Sequence, residues 1–63
     1  MMAYMNEIAP GYTLEQHKAL ARIQEELREL YRECGDAENA GEAAKSANWH
    51  RNQIELMEHE QNG

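Results

Sequence analysis

Sixty-three residues with a formal charge of −6, one cysteine and one tryptophan describe a single small acidic domain. So short a chain buries little apolar surface alone, and with Cys34 unpaired and no CxxC or HxxxH spacing present, self-association is the expected staple in place of a disulfide or zinc. The negative balance argues against a general nucleic-acid binder, whose affinity comes from Lys and Arg on phosphates, and there is no apolar run of membrane-spanning length.

The opening "MMAYMNEIAPGY" has neither the basic segment nor the continuous apolar run of a signal peptide, which makes the cytoplasm the expected location. Met1, Met2 and Met5 can each serve as initiator. Residues 1–12 are expected to form an N-terminal arm ahead of a helical hairpin over 13–63. After Pro10 and Gly11, Thr13 is an N-cap with Gln16 as its capping-box partner, so a first helix is expected over about 14–34. Leu20, Ile23, Leu27, Leu30 and Cys34 recur at alternating steps of three and four, the spacing of a coiled-coil seam. Gly35 stops the helix.

In "CGDAENAGEA", Asp36 or Asn39 can cap a second helix over about 37–60. Its seam is expected at Ala40, Ala43, Ala47, His50, Ile54 and Met57. A short loop makes the helices antiparallel neighbours. Pairing back from the loop sets Cys34 by Ala40, Leu30 by Ala43, Leu27 by Ala47, Ile23 by His50 and Leu20 by Ile54. The fold class is thus all-α, an antiparallel two-helix hairpin expected to dimerise into a four-helix bundle. Leu20, Ile23, Leu27, Leu30, Tyr31, Ala44, Ala47, His50, Ile54 and Met57 are the self-association candidates.

Lys18, Arg22, Arg28 and Arg32 share one arc of the first helix, but Glu25, Glu26 and Glu29 are interleaved with them. Pairs such as Arg22 with Glu26 and Glu29 with Arg32 read as a solvated face. The second helix is more acidic, a surface that suits solubility or a basic partner. Among candidate ligands, Glu55 and His59 have helical metal spacing but supply only two donors, so no metal and no cofactor is expected. Cys34 and His50 are set turns apart by the pairing, which leaves Cys34 as a buried packing thiol. His50 falls at a seam position, where burial would oppose its protonation. A two-helix hairpin also offers no cleft to hold a substrate, so no enzyme activity is expected.

"ELYREC", Glu29 to Cys34, is similar in five of six letters to a piece of the plasmid primer-repressor family, acidic hairpins that dimerise and bind paired RNA loops. There the piece lies in the second helix and here it closes the first, so it is a chance match. In size, acidity and helical pattern the chain resembles small accessory proteins of temperate, lambdoid phages. That resemblance implies a regulator or inhibitor acting by contact with a host protein. The expected partners are therefore a second copy and another protein, with neither generic nucleic acid nor membrane among them. The alternative is a dimeric RNA- or DNA-binding regulator using the basic residues of the first helix.

Trp49 lies about 140° from the centre of its helix's seam, on the side of Leu56 with Gln53 between them. These three are the partner-binding candidates. Three fates are open to the patch: cover by Tyr4, Met5 and Ile8 of the arm, burial in a dimer, or use as a partner's seat.

Overall fold

The computed structural model describes residues 8–62, with side chains described through residue 60. Two α-helices, α1 (Leu14–Glu33) and α2 (Ala37–Asn62), pack side by side as a hairpin. The Thr13 hydroxyl accepts from the Gln16 amide at 3.1 Å, while the Gln16 side chain accepts from the Thr13 amide at 2.9 Å. That reciprocal box satisfies two of the amides a helix start leaves bare.

The turn between the helices is equally determined by its residues. Cys34 caps α1, and Gly35 takes the left-handed conformation at φ 78°, which a side chain would resist. The Gly35 amide donates to the Arg32 carbonyl at 3.0 Å and the Asp36 amide to Tyr31 at 2.8 Å, the paired bonds of a Schellman ending. Of the two candidate caps for α2, Asp36 is the one used: its carboxylate accepts from the Asn39 amide at 3.2 Å and from the Asn39 side chain at 2.7 Å. Those bonds favour the ionised carboxylate and lower the Asp36 pKa.

The interior differs from the expected seam chiefly on α1. On α2, Ala40, Ala43, Ala47 and His50 are buried as expected, with Ile54 and Met57 half-buried. On α1, the residues turned inward are His17 and Ala21, followed by half-buried Gln24, Arg28 and Tyr31. This line has the same three-four spacing as Leu20, Ile23, Leu27 and Leu30 but lies roughly 100° around the helix. Leu20 and Leu27 are therefore half-buried at the edge of the contact, Ile23 and Leu30 stand 48% and 56% exposed, and Cys34 is exposed at the turn, not a buried thiol.

Contacts between the helices account for the rotation. An alanine seam lets the axes approach closely and offers no holes deep enough to require leucine knobs. His17 meets His50, where Ile23 had been expected, and two ion pairs, Lys18 with Glu58 and Arg51 with Glu25, bridge the helices on the flank away from the leucines. The pairs expected within α1, Arg22 with Glu26 and Glu29 with Arg32, are replaced by Arg28 with Glu29.

Candidate functional site

Two features of the hairpin lie away from the cross-helix ion pairs. The first is the aliphatic stripe of α1. From the inward line of His17, Ala21 and Gln24, a turn of about 100° per residue carries Leu20, Ile23, Leu27 and Leu30 to one side and Lys18 and Glu25 to the other. The stripe continues past the helix start, because Tyr12, 47% exposed, joins Gln16, Ala19 and Leu20 around an open depression of about 300 Å³.

The second feature is a polar cluster at the open end of the hairpin. His17, at 0% exposure, and His50 bring their Nδ1 atoms to 2.8 Å, so one ring donates an N–H and the other accepts it. Tyr12 packs its ring 5.2 Å from His17 and 6.0 Å from His50, in edge-on geometry. Trp49 stands 5.5 Å from His17 and 4.9 Å from His50, also edge-on. Such offsets suit the ring quadrupoles. The Nε2 of His17 is buried with no hydrogen-bond partner. Burial lowers the pKa of both histidines, and the charge of His17 lowers that of His50 further.

The arm reaches this cluster from above. The Ala9 amide donates to Gln53 Oε1 at 2.7 Å, and Ile8 beside it is half-buried. Gln53 is consequently 1% exposed, an interior residue and not part of an open patch. Sequence spacing placed it outside because a hairpin alone leaves that side bare; the returning backbone covers it. Tyr4 and Met5, the other residues expected to fold back, lie outside the described residues. Trp49 stays 36% exposed at the rim of the histidine pair, and Leu56 is half-buried.

The self-association candidates divide in the same way. Ala47 and His50 are consumed within the hairpin, which removes them from any outer surface. Tyr31, Ala44, Ile54 and Met57 are half-buried, and Ile23 and Leu30 project into solvent. The residue that sequence reasoning missed is His17. Its signal was faint but present: His17, Ala21, Gln24, Arg28 and Tyr31 keep the seam spacing, masked by their polarity.

Among the described residues no three His, Cys, Asp or Glu side chains converge to hold a metal ion, and no helix is long and apolar enough to cross a membrane. Comparison with protein-family models, curated proteins and solved structures gives no match.

Proposed function

We infer that this chain is a small non-enzymatic regulatory protein that acts by contact, and that it pairs with a second copy through the aliphatic flank of α1. One observation carries the reading: Ile23 and Leu30 stand 48% and 56% exposed and Leu20 and Leu27 are only half-buried, while the fully buried interior is built of alanine, histidine and glutamine. Four buried alanines remove little apolar area from water, so the aliphatic stripe keeps hydrophobic driving force that the single hairpin does not use.

Charge selects the second copy and the helix it uses. α1 carries five acidic against four basic side chains, α2 five against two. Two α1 flanks therefore meet with less repulsion than two α2 surfaces would, and the stripe between them is free of the cross-helix ion pairs. Leucines at three-four spacing are suited to the packing of a four-helix assembly. The nucleic-acid alternative is weaker, since Lys18 and Arg28 are already engaged by Glu58 and Glu29.

Sedimentation at tens of micromolar tests this reading. The expected result is a dimer that Ile23→Lys with Leu30→Lys converts to monomer. A wild-type chain that sediments as a fully helical monomer would overturn it.

A further inference from the structure

We propose that the contact between His17 and His50 is an acid-operated latch, holding the first turn of α1 and Tyr12 against α2, beside Trp49, until a second proton enters the pair. The latch lies within the single hairpin, and Tyr12 belongs both to it and to the end of the aliphatic stripe.

In the neutral pair one ring donates Nδ1–H to the bare Nδ1 of the other across 2.8 Å. The donor ring then has a lone pair at Nε2, and the acceptor ring carries its hydrogen there. A first proton from solvent enters at the donor's Nε2 and leaves the contact intact, with an imidazolium now donating, which strengthens it. The second proton has only the acceptor's Nδ1 left, the atom that closes the contact. Two N–H groups then face each other, both rings are charged, and the pair separates.

The surroundings make that second step consequential. The rings are faced by Tyr12 from the turn before α1 and by Trp49 from α2. Among the described residues neither histidine is paired with a carboxylate, and the adjacent Lys18 and Arg51 are turned to Glu58 and Glu25 on the other flank. Among the described residues nothing nearby neutralises the second added charge. Water is the stable environment for the doubly protonated pair. Reaching it requires the rings to leave the seam, and Tyr12 and Trp49 lose the surface they pack on.

The test uses the full chain labelled with ¹⁵N and titrated downward from pH 7.5. Histidine ring nitrogens should show two steps, the hydrogen-bonded Nδ1 signal persisting through the first and disappearing in the second. Acrylamide quenching of Trp49 should rise with the second step by roughly two- to threefold, because the indole starts only 36% exposed. In His17→Leu with His50→Leu the quenching should not change over the same range, which separates the latch from titration of the many carboxylates. Two rings that titrate independently near the free value of about 6.5 with Trp49 unmoved would overturn the proposal. So would the same rise in quenching in the double variant. The nitrogen signals decide the matter in the wild type alone if that variant does not fold.

Discussion

Near the loop the fully buried side chains are Ala40, Ala43 and Ala47, with Gln24, Arg28 and Tyr31 of α1 half-buried beside them, whereas toward the open end the same seam is filled by His17, His50 and Gln53. The two regions are buried to a similar degree but respond to different perturbations. An alanine contact is indifferent to pH and intolerant of volume, because close-packed axes have no room for added methylenes. A histidine-glutamine contact stands only while each polar atom has its partner in the right protonation state. The closed end therefore sets the geometry, and the open end makes it conditional.

Enlarging the alanine seam is the largest expected effect. Ala47 is almost fully buried, and Ala47→Leu would force the helices apart at the point where their closeness substitutes for a large core. A cost of about 1–3 kcal/mol is expected from overpacking, enough to unfold much of so small a domain. Loss of the urea transition, or a midpoint shift of that size, checks it. An unchanged midpoint would show that the axes are not held close there.

How much of this was legible in the sequence depends on how far each signal reaches along the chain. Thr13 with Gln16 and Gly35 at the turn were readable because the bonds they make span a few residues. The alanine seam of α2 was readable because its neighbours are polar. The rotation of α1 was not, because a leucine stripe shows only which face is apolar, and the choice of the inward face rests on His17 meeting a residue 33 positions away. Gln53 was misplaced for a similar reason: its burial comes from the Ala9 backbone, 44 positions distant. The same error has a functional content. The stripe that looked like the hairpin's own core lies at the edge of the helix contact, and that is the surface we propose for a second copy.

Between pH 7.5 and 5.5 acid should weaken the open end without touching the closed one, where the Asp36 cap, its pKa lowered by Asn39, stays ionised. Burial lowers the pKa of His17 and His50 in the folded chain, so the unfolded chain binds protons first. The stability these groups contribute is complete above the unfolded value of about 6.5 and is lost as pH falls from there through the lowered folded values. With two protons at stake, the slope cannot exceed about 2.7 kcal/mol per pH unit. Urea midpoints at pH 7.5 and 5.5 should fall in that order, and the fall should shrink in His50→Leu. A midpoint that rises on acidification would mean that the folded chain holds these protons more tightly than the unfolded one.

The smallest expected effect lies on the ion-paired flank, and it sharpens the contrast with the aliphatic one. Lys18 and Glu58 meet at 3.5 Å with both side chains more than two-fifths exposed. Water screens such a pair, and holding two long side chains in one geometry costs entropy that offsets the attraction. Glu58→Gln keeps the shape and removes one charge from a chain already at −6, which slightly relieves its overall repulsion. The net change should be within about 0.5 kcal/mol of zero, and sedimentation should be unaltered because Glu58 pairs on the flank turned away from Ile23 and Leu30. If this conservative change alters the assembly as strongly as Leu30→Lys, then the ion-paired flank, and not the leucine stripe, is where two copies meet.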